Sequence, residues 1–215
     1  MKNQAAENSE RTSTREIILD AAEQLFAEKG YAGVSMREIV AETSLKNQAS
    51  LYHHFRNKRS LYEAVLSRGL DNLAALLPGA GETATLEQIG ANLDRLLDYL
   101  SAHPHLARLI QRAALDDSRY LQNAARRLLQ PLYTQGRRAL TGADRIWSEE
   151  EIPHLAAGLY HLIFGYFANA PLLDAVVLED PLSPGAVGRQ RKFLKAAVAR
   201  LLGTVPPSPA QNKPA

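Results

Sequence analysis

The chain has 215 residues, a formal net charge of +2, 46% apolar residues and no cysteine. The apolar share supports a folded core of one or two globular units. The near balance of charge gives no bulk argument for nucleic-acid binding, and the lack of cysteine excludes disulfides, thiol catalysis and cysteine-based metal sites. Charge is uneven, however. Residues 44–70 hold Lys46, Arg56, Lys58, Arg59 and Arg68 against one acid, Glu63. The N-terminus, MKNQAAENSERTSTR, is polar and lacks the apolar core of a signal peptide. Both the missing cysteine and that polar start fit a cytoplasmic location.

Residues 1–12 read as a polar arm. Ser13-Thr14-Arg15-Glu16 fits a capping box and predicts a helix from Ser13. Ile18, Ala21, Ala22, Leu25 and Phe26 give that helix one apolar face. Gly30 suits its left-handed C-cap. A second start signal, Ser35-Met36-Arg37-Glu38, is flanked by Val34 and Ile39 at the spacing of a hydrophobic staple. That helix should bury Met36, Ile39 and Val40 and end near Thr43. A polar turn, Thr43-Ser44-Leu45-Lys46, leads to Asn47 as N-cap and a helix from Gln48 to about Phe55. Leu51 and Phe55 can anchor it, which leaves Gln48, Ala49, Ser50, Tyr52, His53 and His54 for other faces. Asn57 is the next N-cap, ahead of Lys58-Arg59-Ser60.

The rest of the chain also reads as helix. A fourth helix should reach Leu77, before a Pro78-Gly79 loop. Thr85-x-x-Gln88 starts a helix with Leu86, Ile89, Leu93, Leu96, Leu97 and Leu100, broken at His103-Pro104. Leu106, Leu109, Ile110 and Ala113 mark the next one. Asp116-Asp117-Ser118 caps another, which runs to Tyr133 with a bend at Pro131, and Thr141–Trp147 is a loop. Ser148-x-x-Glu151 then opens a helix. The uncharged run Leu155–Leu173 has the length of a membrane span. His161, Asn169, Pro171 and its many small residues favour a buried or interface helix instead. The last helix is expected over 186–202, and the proline-rich residues 204–215 as a disordered tail.

Three short helices with a tight turn between the last two form a helix-turn-helix arrangement. A narrow, polar recognition helix beside basic residues suits the DNA major groove. The bland alternative is a helical hairpin with a solvated polar face. Neighbouring histidines on a helix point about 100° apart, so His53 and His54 make no shared metal site. No nucleotide loop, zinc-helix signature or nucleophile elbow occurs, and no catalytic residue, cofactor or metal is expected.

From Thr14 to Leu66 the chain resembles the DNA-binding domain of TetR/AcrR-type transcriptional repressors. The features that carry it are Ile18, Ala21, Ala22, Leu25-Phe26, Gly30-Tyr31, Ser35, Ile39, Leu51-Tyr52-His53-His54-Phe55, Asn57-Lys58 and Leu61. The turn before the recognition helix departs from the family pattern by one extra residue, with Lys46 as the insertion and Asn47 at the N-cap. The resemblance implies an all-α protein: a helix-turn-helix DNA-binding domain at 13–57 and a helical effector-binding and dimerisation domain at 58–203. It implies DNA contacts by Lys46, Asn47, Gln48, Ala49, Ser50, Tyr52 and His53, and a phosphate contact by Lys58. Gln48 is the best candidate for direct readout, since its amide can pair bidentately with adenine.

The resemblance further implies a homodimer on a near-palindromic operator, with Leu159, Leu162, Ile163, Phe193, Leu194 and Val198 at the interface. An effector, hydrophobic or aromatic in character, would bind among Tyr99, His103, Leu109, Ile110, Tyr133, Phe164 and Phe167. The expected function is that of a ligand-responsive repressor without enzymatic activity or a membrane role. The rival is an all-helical small-molecule-binding protein with no DNA role.

Overall fold

The computed structural model describes residues 2–45, 47–76, 86–115, 130, 147–177 and 179–201. Among these the regular structure is helical: α1 (Lys2–Lys29), α2 (Met36–Ala41), α3 (Gln48–Tyr52), α4 (Lys58–Leu76), α5 (Leu86–Ala102), α6 (Pro104–Leu115), α7 (Ile152–Ala168), α8 (Ala170–Val177) and α9 (Pro184–Leu201). The protein is all-α, as the periodicity predicts. Lys46, the Pro78-Gly79 loop, the box residue Thr85, the Asp116–Tyr133 helix apart from residue 130, most of the Thr141–Trp147 loop and the 204–215 tail lie outside the described residues.

The chain forms two compact units, one of Met1–Ala75 with Ala102–Leu128 and one of Leu76–Ser101 with Leu129–Ala215. The first unit therefore extends past the 57/58 boundary expected from sequence. The reason is packing. Phe26 of α1 meets Tyr62 of α4 edge to face at 5.0 Å, and α6 packs along α1. Ile18, Leu19, Phe26, Ile39, Leu51, Leu61, Leu66 and Leu106 are all fully buried. Each such side chain contributes roughly 1.5–3 kcal/mol. Gly69 of α4 lets Leu106 of α6 approach; a Cβ there would lie 2.3 Å from Leu106 Cδ1. Charge joins the same helices. Arg68 of α4 donates to Glu16 (3.0 Å), Asp20 (2.7 Å) and Glu23 (2.9 Å) of α1. Burial pulls the Arg68 guanidinium down, but the bonds to Glu16, Glu23 and Asp20 outweigh it and raise its pKa above the ordinary value.

Helix starts were largely readable. Gly30 has φ of +73° and donates to Phe26 O at 3.0 Å. The Ser35 box is complete: Glu38 N–H donates to Ser35 Oγ (3.2 Å) and Ser35 N–H to Glu38 Oε2 (2.8 Å). The expected start at Ser13 is corrected, because α1 begins at Lys2. Residues 2–12 contain no proline or glycine, so extending a formed helix costs far less than starting one. At the other end of the chain, α9 opens at Pro184, two residues early. Ser183 Oγ accepts from Ala186 N–H (3.3 Å), and proline suits the first helical position.

In the second unit the apolar run divides. Helix α7 ends at Ala168, Asn169 N–H donates to Gly165 O (3.0 Å), and α8 starts at Ala170. No described helix is long and apolar enough to cross a membrane. Two cations of α9 pair with acids of α5. Arg191 bonds Asp94 (3.0 Å) and Asp98 of α5, and Lys195 pairs with Asp94 (2.5 Å). Trp147 Nε1 donates to Leu201 O, closing the segment before α7 against the end of α9.

Candidate nucleic-acid interface

Helix α3 has five residues and buries only Leu51. So short a helix cannot hold itself in water. Asn47 secures its start, accepting from Ser50 N–H (3.0 Å) and from Ser50 Oγ (3.1 Å). Beyond its end, Phe55 is buried and anchors the exit. The helix is shorter than the predicted 48–55, because His54 N–H and Phe55 N–H turn back to Leu51 O (3.0 Å each).

With Leu51 inward, the opposite face is polar. Gln48, Ala49, Tyr52 and His53 are exposed, and Ser50 is half-buried with its hydroxyl turned to Asn47. Gln48 Nε2 donates to Tyr52 Oη at 3.4 Å, one turn on. The structure thus brings Asn47, Gln48, Ala49, Ser50, Tyr52 and His53 together on a single short element.

An open depression of about 430 Å³ lies beside α3, lined by Thr14 and Ile17 of α1 and by Ser44, Leu45, Asn47, Ser50, His53 and His54. Thr14 and Ile17 carry no sequence signal for this position; only the packing of α1 puts them there. Arg15 belongs to the same end of α1, its guanidinium 5.4 Å from the Phe55 ring centroid.

The basic cluster after α3 divides by role. Arg56 is exposed. Arg59 pairs with Glu63 one turn later (2.9 Å). Lys58 turns towards the backbone of the α1–α2 connection. Its Nζ donates to Tyr31 O and Val34 O, both at 2.8 Å, and sits 4.4 Å from the Tyr31 ring centroid. A lysine with a long stem and three donors can reach those carbonyls from the start of α4, and here it does.

The other expected site residues spread over both units. Leu109 and Ile110 are buried in α6, which packs on α1, and His103 is exposed. Tyr99 and Phe164 are half-buried on α5 and α7, Phe167 is buried, and Tyr133 lies outside the described residues. A groove of about 420 Å³ between α5 and α9 contains none of these; Ile89, Gly90, Leu93 and Val198 form its apolar wall. Of the expected interface residues, Leu194 and Val198 are buried within the chain (0% and 9% exposed). Phe193 is 53% exposed, and Leu159, Leu162 and Ile163 are half-buried.

Comparison with known proteins fits this geometry. Residues 18–65 match the family model for bacterial regulatory proteins of the tetR family. The HTH-type transcriptional repressor SCO4008 of Streptomyces coelicolor is 37% identical over 106 residues. That match covers 49% of this chain and 51% of the relative, so the chain spans about half of that protein's length. The uncharacterised HTH-type transcriptional regulator YvkB of Bacillus subtilis is 29% identical over 174 residues, covering 78% of this chain and 88% of the other. Among solved structures, the transcriptional regulator SCO4942 from Streptomyces coelicolor superimposes with a TM-score of 0.62 at 24% identity, over 87% of this chain and 97% of that one. Its low identity speaks for the fold alone. Residues 18–65 thus match the DNA-binding domain of bacterial regulatory proteins of the tetR family, on a fold similar to that of a solved transcriptional regulator.

Proposed function

We propose that the chain is a homodimeric, ligand-responsive repressor that acts in the cytoplasm on a near-palindromic operator. The observation that carries the DNA reading is α3 itself. One buried leucine fixes the helix, and the exposed face presents Gln48, Ala49, Tyr52 and His53. Gln48 reads a base edge, Tyr52 and His53 meet the backbone or a neighbouring base, Ala49 faces the groove, Asn47 and Ser50 lie at the phosphate-facing start of the helix, and Lys46, next in sequence to Asn47, is a further proposed DNA contact.

Two heads supply what one cannot, because a single short helix discriminates only a few base pairs against a genome of competitors. Support for pairing comes from exposed apolar side chains in the second unit. Phe193 (53%), Leu172 (63%) and Val176 (70%) face outward, and α7 is almost wholly apolar yet buries only Ile152, Leu155, Phe167 and Ala168. Leu159, Leu162 and Ile163 of α7 complete the proposed surface. Effector contacts are proposed at Tyr99, Phe164 and Phe167; the burial of Leu109 and Ile110 is accounted for by their packing in the first unit. To move a population from almost all bound-competent to almost none, the effector must favour one state by about 5.5 kcal/mol.

Selection of duplexes from a random library, followed by binding to single-base variants, tests the reading. Gln48→Ala should cost roughly 1–3 kcal/mol at one base pair and little elsewhere. Equal losses on selected and random DNA would remove Gln48 from the readout. A wild-type protein that selects no sequence would favour the rival, a small-molecule-binding protein without a DNA role.

A further inference from the structure

We propose that α1 supplies a contact to the DNA backbone: Arg15 binds a phosphate of the strand that borders α3, and the depression between α1 and α3 seats the adjoining sugar and phosphate. The proposal deepens the DNA-binding reading above and rests on it. Position carries it first. The depression of about 430 Å³ is open, and Thr14 and Ile17 of α1 share its wall with Ser44, Asn47, Ser50 and His53. Asn47 and His53 cap the two ends of α3, and both are exposed. The surface that α3 offers to a duplex therefore continues into the depression. Hydroxyl and amide side chains are regular donors to phosphate oxygens. Ile17 and Leu45 add apolar surface that suits the edge of a deoxyribose.

Charge carries it second. With histidine neutral, the wall residues bring no formal charge, and the cation stands at the edge. Arg15 follows Thr14 in α1, and its guanidinium lies 5.4 Å from the ring centroid of Phe55, the residue after the wall residue His54. Phe55 is 5% exposed, so a fixed ring face orients the guanidinium. The Arg15 side chain itself stays 46% exposed. It bonds Glu16 at 3.4 Å, while the other carboxylate oxygen of Glu16 is held by Arg68 of α4 at 3.0 Å. Arg68 also holds Asp20 (2.7 Å), so the acids that follow Arg15 on α1 are countered from α4. A guanidinium has five N–H donors, and one long bond leaves it a fork for a phosphate.

The test uses the full chain and a duplex selected from a random library by the wild-type protein. Arg15→Met removes the charge and keeps an apolar stem over Phe55. It should weaken selected and random duplexes by the same factor, with a slope of log affinity against log salt shallower by about 0.9. Arg15→Lys should keep the wild-type slope. Loss of a merely structural contact would lower affinity and leave the slope unmoved. Ethylation of single phosphates gives a direct signature: one phosphate whose ethylation weakens the wild type should no longer matter to Arg15→Met. Ile17 is 41% exposed, so Ile17→Asp places a carboxylate in the depression from a surface position. It should weaken both duplexes several-fold, and Ile17→Asn should not. An unmoved slope for Arg15→Met, an unaltered ethylation pattern, or full affinity in Ile17→Asp overturns the proposal. A wild-type protein that selects no duplex defeats the DNA-binding reading and this contact with it, whereas an unmoved slope on a selected duplex defeats the contact alone.

Discussion

Leu51→Ala isolates the way a five-residue helix is held in place. Leu51 is 0% exposed and is the one residue that α3 buries. Truncating a fully buried leucine costs about 3–5 kcal/mol, the sum of lost transfer energy and the cavity left behind. At the lower figure, the balance between docked and undocked α3 shifts by roughly 100-fold or more. Nothing within α3 compensates, since one helical turn has no stability of its own. The adjacent Tyr52 is 48% exposed, and Tyr52→Ala should change stability by no more than about 0.5 kcal/mol. Urea unfolding followed by circular dichroism measures both, and amide exchange over 48–55 reports the local opening. Leu51→Ala should weaken every duplex alike, because it removes the docked helix rather than a contact. Equal small shifts for the two variants would refute the reasoning, as α3 would then be held by something other than Leu51.

Glu38 should show an acid limb of stability. Hydrogen bonds with the Ser35 side chain, then the Ser35 backbone and Lys29, lower its pKa from 4.5 to about 2. A depressed carboxylate stabilises fully above its unfolded value, so the contribution persists above pH 4.5 and fades as the pH falls towards 2. Ser35→Ala should raise the Glu38 pKa in a carboxyl titration and narrow that window; an unmoved value would count against the box. Gly69→Ala would ordinarily gain about 1 kcal/mol in a helix interior, but overpacking against Leu106 costs roughly 1–3 kcal/mol. A net loss in thermal unfolding is expected, and a gain would show that Leu106 yields freely. Phe193→Glu should convert the proposed dimer to monomer in equilibrium sedimentation; a persisting dimer would move the interface elsewhere, and a wild type that is monomeric would refute the pairing.

Much of the head is legible in one dimension because its signals are local. Ser35 with Glu38, Asn47 with Ser50, and Gly30 at positive φ each satisfy backbone groups within a few residues. Their chemistry is fully specified by spacing. Leu51 and Phe55 are readable too, since a four-residue interval fixes a common side. The Ser13 box shows the limit of such signals. A start motif does not stop a helix already propagating through the good formers before it, and α1 runs on from Lys2. Likewise, the apolar pattern of 193–198 does not say which side meets the chain's own core. Leu194 and Val198 are inside, and Phe193 is outside.

Sequence alone therefore determined the helical class, the position of the head and which residues of α3 stay exposed. Each follows from periodicity or a local hydrogen bond. Tertiary structure alone decided how far the first unit extends and what its charges do. Arg68 meets three acids of α1 across 45–52 residues of sequence. Lys58 closes on carbonyls 24 and 27 residues earlier. A cation's number along the chain gives its reach but not its partner. That choice belongs to whichever carbonyl, carboxylate or ring the packing of α1, α4 and α6 brings within about 3 Å.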